Sequence, residues 1–172
     1  MVMLMHLHNQ LSEVASIYGV LAEGGKELVV QYKDDPTPDQ QAEVEKILAS
    51  WPLEEARLEH EEKIDQEVKE IEAKGYDTGK GYTIDLSARG AADLTGAIVL
   101  AKEAVDNGYE GPHFILASDG ITHSATYEEL IQVGVDYGVA RNALYVAASQ
   151  KTMMIREAET VSEVRLIDTK IG

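Results

Sequence analysis

The stretch from Leu53 to Lys74, LEEARLEHEEKIDQEVKEIEAK, sets the tightest limit on how this chain can fold. Its apolar positions are Leu53, Ala56, Ile64, Val68 and Ile71, with His60 on the same line. They recur at three- and four-residue steps. The resulting seam is too narrow for the face of a packed globular helix and closer to the stripe of a coiled coil. Pro52 stands where a first-turn proline belongs and Gly75 where a helix stops, which predicts a separate helix between them. A helix this acidic cannot form a core alone. The pattern predicts a rod joining two small folded units, with Leu53, Ala56, Ile64, Val68 and Ile71 as an interface that needs a partner.

The flanking segments read as α+β. In residues 1–51, Leu4, Leu7, Leu11, Val14 and Ala15 fall at helical spacing. Ile17–Leu21 and Leu28–Tyr32 read as strands of a hairpin around the turn Glu23-Gly24-Gly25-Lys26. Thr37 is a cap residue with Pro38 at the first helical position, and the helix it opens runs to about Ser50 with Val44, Ile47, Leu48 and Trp51 inward. Residues 52–75 are the acidic linker helix. Residues 76–172 form a second α+β domain in the order β-α-ββ-α. Tyr82–Leu86 is β-prone, and Asp85 or Ser87 caps a helix ending at about Asn107, with Gly108 as its stop. That helix turns Ala91, Leu94, Ile98, Ala101 and Val105 inward. Phe114–Ala117 and Ile121–Ser124 form a hairpin about Ser118-Asp119-Gly120. Thr126 and Glu129 form a capping box opening a long final helix that carries Leu130, Val133, Tyr137, Leu144 and Ala148 and reaches about Ala158. Thr160 and Glu163 repeat the box before a short helix that presents Val164 and Ile167. The order implies a small antiparallel or mixed sheet backed by helices.

Charge narrows the partners. The formal net charge is −16, which argues against nucleic acid and anionic membrane, since both demand a basic surface. No apolar run approaches the ~20 residues needed to cross a bilayer. The N-terminus MVMLMHLHNQLSEV lacks the basic region and cleavage site of a signal peptide, so secretion by that route is not expected. There is no cysteine, hence neither disulfide nor thiolate chemistry.

Catalytic patterns are weak. His6 and His8 lie two residues apart, while His60, His113 and His123 are scattered. His113 and His123 sit on facing strands of the expected hairpin, but two imidazoles without a third ligand make a poor zinc site. His60-Glu61-Glu62 lacks the second histidine of the helical zinc motif. Ser118-Asp119-Gly120 is ordinary turn chemistry, with no G-x-S-x-G elbow around it. The calcium-loop and phosphate-loop patterns are missing. Tyr127, Tyr137 and Tyr145 fall on the long helix without forming one tight patch, as packing residues do. No catalytic, cofactor or metal residue is assigned.

The second domain carries Gly81-Tyr82-Thr83-Ile84-Asp85, then Arg89, Leu94-Thr95-Gly96-Ala97, the hairpin Phe114 to Gly120, and Thr126 to Leu130. In this order the motifs resemble a domain of unknown function found in tail genes of tailed bacteriophages and prophages. The ending Ala158-x-Thr160-Val161-Ser162-Glu163-Val164-x-x-Ile167-Asp168 is similar to the tail of such proteins. Leu7-His8-x-x-Leu11 and Thr37-Pro38-x-Gln40-Gln41 resemble short tail-region domains as well. Phe114 departs from the tryptophan of many relatives, and the rod is unusually acidic. The resemblance implies a non-enzymatic tail component that binds a tail-fibre or baseplate protein. It would act as a virion subunit or as a fibre-assembly chaperone, in the virion tail or in the host cytoplasm during assembly. The rod would self-associate or lie along fibre chains, with a trimer suggested by analogy to trimeric fibres. The alternative is a small acidic adaptor or inhibitor that binds a basic host protein as a monomer. A hydrolase or metal enzyme built on His113 or His123 has no support in the spacing.

Overall fold

The structure, a computed structural model, describes residues 2–23 and 27–171. Each element forms where local sequence and tertiary cover agree, and the mixture of helices and short antiparallel strands is the α+β class expected. The elements are α1 (Val2–Val14), β1 (Ile17–Glu23), β2 (Glu27–Tyr32), α2 (Pro38–Lys74), β3 (Tyr76–Asp77), β4 (Thr83–Ile84), α3 (Ala88–Asp106), β5 (His113–Leu116), β6 (Thr122–Ala125), α4 (Tyr127–Glu157) and α5 (Val161–Leu166). The strands pair only within hairpins, β1 with β2, β3 with β4 and β5 with β6, each antiparallel. The hairpin expected in the first unit is present as β1–β2, while the small sheet expected in the second is two separate two-stranded ribbons. Strands of two to seven residues offer too few ladder positions to stand alone, so helices supply the cover.

Two compact units result, Met1–Glu62 with Met154–Asp168, and Lys63–Met153 with Thr169–Gly172. The divisions fall inside α2, between Glu62 and Lys63, and inside α4, between Met153 and Met154. They differ from the boundaries expected at residues 51 and 75. The cause is Pro52, which lies within α2 instead of opening a new helix. A proline in a helix interior costs about 3 kcal/mol through its missing N–H and its ring. Burial on both sides of it, at Trp51 and Ala56, holds the helix together across that defect.

In the first unit, Leu7, Leu11, Ala15, Ile17, Val44 and Trp51 form the core, with Ile47, Leu48 and Leu58 packed against it. The stripe on α1 thus meets the inward face of α2. Thr37 and Gln40 make the reciprocal cap: Gln40 N–H donates to Thr37 Oγ1 at 3.3 Å and Thr37 N–H donates to Gln40 Oε1 at 2.9 Å. Gln40 Nε2 also donates to Val14 O, which ties the start of α2 to the end of α1. The turn Glu23-Gly24-Gly25-Lys26 rests on residues 24–26, which lie outside the described residues.

In the second unit, Tyr82, Ile84, Leu86, Leu94, Ala101, Ile115, Ala117, Ala125, Leu130, Val133 and Tyr137 form one core. Ser87 is the N-cap of α3, accepting from Gly90 N–H, while Asp85 Oδ1 accepts from Ser87 N–H at 2.7 Å. Gly75 has φ +78° and sits against the Ile84 carbonyl, where an added Cβ would approach to 2.7 Å. Only glycine ends α2 there without strain. Thr126 and Glu129 form the capping box of α4, and Thr160 and Glu163 that of α5.

Candidate interaction surface

The α2 seam is largely covered by the chain itself. Ile64 is 1% exposed, Ala56 and His60 are buried, Leu53 and Val68 are half-buried, and Ile71 packs against the core of the second unit. Polar contacts show what lies alongside. In the first unit Arg57 Nη2 donates to Ala158 O at 2.5 Å, and Arg156 Nε donates to Glu61 Oε1 at 2.8 Å. As numbers rise on α2 they fall on the end of α4, so these helices run antiparallel. In the second unit Tyr145 Oη donates to Glu72, and Lys170 Nζ donates to Glu67 Oε2 at 2.8 Å. Glu72 holds the Tyr145 proton and raises its pKa, and Lys170 lowers that of Glu67. The expectation that Leu53, Ala56, Ile64, Val68 and Ile71 await a partner is corrected accordingly. Little of this apolar surface is left for a second protein, because the chain's own later segments satisfy it.

The histidines and serine singled out above are placed structurally. His113 is paired across the hairpin with Ala125, and His123 with Ile115, so the two imidazoles are not opposite each other. His123 stacks on Tyr82 with ring centroids 4.2 Å apart, and His113 meets Tyr109 and Tyr127 edge-on. His6 stacks near Trp51, and the His60 Nδ1 lies 3.1 Å from Ala56 O. Ser118 Oγ donates to Thr83 O, pinning one hairpin to the other. Among the described residues, no three His, Asp or Glu side chains come together as a metal site, and no helix is long and apolar enough to cross a membrane.

What the second unit does present is exposed apolar surface. On β5 the side chains alternate, His113 and Ile115 inward, Phe114 and Leu116 outward, and Phe114 is 60% exposed. Ile121, just before β6, is exposed as well. A second area lies on α4. Its inward face is the expected one, with Leu130, Val133, Tyr137, Leu144 and Ala148 buried. Its opposite face carries Ile131, Val135, Val139, Val146 and Met153, all exposed. Beside it, α3 and α4 enclose a groove of about 700 Å³ lined by Ala91, Ile98, Ile131, Val135 and Tyr145. The helices approach closely there because Gly134 has no side chain; a Cβ would stand 2.5 Å from Ile98 Cδ1.

Electrostatics set this face apart. From residue 131 to 150 every exposed residue of α4 is uncharged, in a chain whose charged share is 27%. The two charges in that span, Asp136 and Arg141, are half-buried and engaged internally. Arg141 Nε donates to Leu86 O at 3.0 Å, and Gln132 Nε2 donates to the Asp136 carboxylate. Sequence reasoning took only the inward stripe of α4. The signal for the outer one was present: two charged residues in twenty, and valines on both faces.

A family model described as a domain of unknown function, DUF4376, matches residues 55–169. Neither the curated proteins nor the solved structures give a match.

Proposed function

The chain belongs to the DUF4376 family, and from that premise we propose that it is a non-enzymatic component of a bacteriophage tail that binds a tail-fibre or baseplate protein. The observation that carries the binding half of this reading is the outward face of the β5–β6 hairpin, where Phe114 and Leu116, two residues apart on β5, are both exposed. Side chains of this size left in water are a cost that docking removes, at about 25 cal/mol per Å² of apolar surface covered. The tail half rests on the ordered motifs from Gly81 to Leu130 and on the ending from Ala158 to Asp168. The hairpin sits on a supported base, since Ser118 N–H and Oγ both donate to Thr83 O. The chain binds as a virion subunit or as a chaperone that leaves the finished fibre.

Particles produced from a genome carrying this gene test the reading. Mass spectrometry of purified virions, with tagged chain recovered from assembling cells, is expected to find it in fixed ratio in the particle or bound to fibre or baseplate protein before assembly. Phe114→Asp is expected to abolish that retention while far-UV circular dichroism stays unchanged. Absence from both fractions, with a basic host protein retained instead, would replace this reading by the acidic adaptor.

A further inference from the structure

The structure assigns to the outer face of α4 a second copy of this chain as its occupant, with Asn142 of one copy set against Asn142 of the other. A helix apolar on both faces is expected where both are covered. One face of α4 is covered by the second unit's own core; the other, in a single chain, is not. Val135 is 57% exposed, Val139 66%, Val146 46% and Met153 56%. From Val135 the positions advance by four, three, four, three and four residues through Val139, Asn142, Val146 and Ser149 to Met153. That is the heptad spacing by which one helix inserts side chains between those of another. It differs from a scatter of surface valines in its register and in its length of more than two heptads.

Charge identifies the occupant. Two chains of net charge −16 repel each other across most of their surface. They meet no repulsion along a strip with no exposed charge, and the chain itself supplies a matching strip. A basic partner would leave its charges unpaired against this face, and an acidic surface elsewhere on the chain would suit it better. Of the two polar residues in the seam, Asn142 and Ser149, the amide points the same way. Asn142 stands between Val139 and Val146 in the seam. An asparagine buried in an apolar seam costs stability unless its amide finds a matching donor and acceptor, which an Asn of an identical chain provides. A symmetric pairing of parallel, in-register helices through this face brings Asn142 to its own copy. This goes beyond the tail-partner reading. It concerns a different surface from the β5–β6 hairpin, so either can fail without the other.

Sedimentation equilibrium and light scattering on the full chain test it, from about 1 to 100 μM and at low and ~0.15 M salt, conditions spanning ordinary association constants and screening lengths. The expected mass is a fixed multiple of 18.8 kDa, with association strengthened by salt as repulsion is screened. Val139→Glu with Val146→Glu is expected to weaken association by about 100-fold or more, since like charges then face each other in the seam. Both side chains are exposed, so the variant's circular dichroism and melting temperature at low concentration stay those of the monomer. The chain has no cysteine, so Asn142→Cys adds its sole thiol, which is expected to give a covalent dimer on mild oxidation; Phe114→Cys is expected not to. A mass of 18.8 kDa throughout, or an oligomer unmoved by the double variant, would overturn the assignment.

Discussion

Replacing Ile64 by alanine separates a seam closed by the chain itself from a seam held open for a partner. Ile64 is 1% exposed in the single chain. The substitution removes three side-chain carbons from a buried site, about 2.4 kcal/mol at ~0.8 kcal/mol per buried methylene. The cavity left behind raises the total to about 3–4 kcal/mol, within the range of buried Ile→Ala changes. For a chain of this size each kcal/mol shifts Tm by about 2–4 °C, so the expected drop is about 6–16 °C. Thermal melting followed at 222 nm, repeated at a tenfold lower concentration, is the assay. The wild-type-minus-variant difference should be the same at both concentrations, because Ile64 packs against residues of its own chain. The reasoning is refuted if Tm moves by less than about 2 °C while the oligomer mass falls, a shift below the scale of any buried deletion. That result would mean that Ile64 is covered by another copy.

Other substitutions probe the second unit and the caps. Gly90→Ala places a Cβ 1.8 Å from the Asp85 carbonyl oxygen, a backbone atom that cannot swing away. Urea unfolding should show a loss of about 3 kcal/mol or more, and an unchanged midpoint would count against this packing of α3. Tyr137→Phe removes a buried hydroxyl that donates to Asp85 O at 3.0 Å and Ser87 O at 3.3 Å, costing about 1–2 kcal/mol in the same assay. Burial raises the Tyr137 pKa above 10.0. Its contribution is therefore complete below pH 10.0 and is lost as pH climbs through the raised value, a loss that the phenylalanine variant should not share. Thr160→Ala should cost about 1 kcal/mol through the cap of α5, seen as faster amide exchange over Val161–Leu166. Glu163 is held below 4.5 by backbone N–H groups of Glu159 and Thr160. The cap should therefore be intact above pH 4.5 and fail as pH falls through the lowered value, while Glu163→Gln keeps an acceptor and blunts the acid response.

Short-range chemistry is legible in the residues alone. The capping boxes at Thr126 and Thr160, the Ser87 cap and the stop at Gly108 each depend on side chain and backbone within four residues. The inward stripe of α4 follows from helical period alone, as do those of α1 and α3 apart from Leu4 and Val105, which lie near the helix ends and are exposed. What local pattern cannot supply is where a partner comes from. Pro52 reads as a helix start because the residues near it cannot report that Trp51 and Ala56 are both buried. The α2 stripe reads as unpartnered because Arg57 and its contact Ala158 are 101 positions apart. The strands of the second unit read as one small sheet because local propensity gives strands but not their neighbours.

The sequence by itself determined the α+β class, the capping of most elements, and an acidic chain in which the middle of α4 is poor in charge. These are properties of composition and of periods two and 3.6, readable wherever the residues fall in space. Only the tertiary structure decided which apolar stripes are spent on the chain's own interior and which remain. Burial is a sum over residues distant in sequence, and that sum closes over Ile64 on α2 while leaving Val135, Val139 and Val146 on α4 in water.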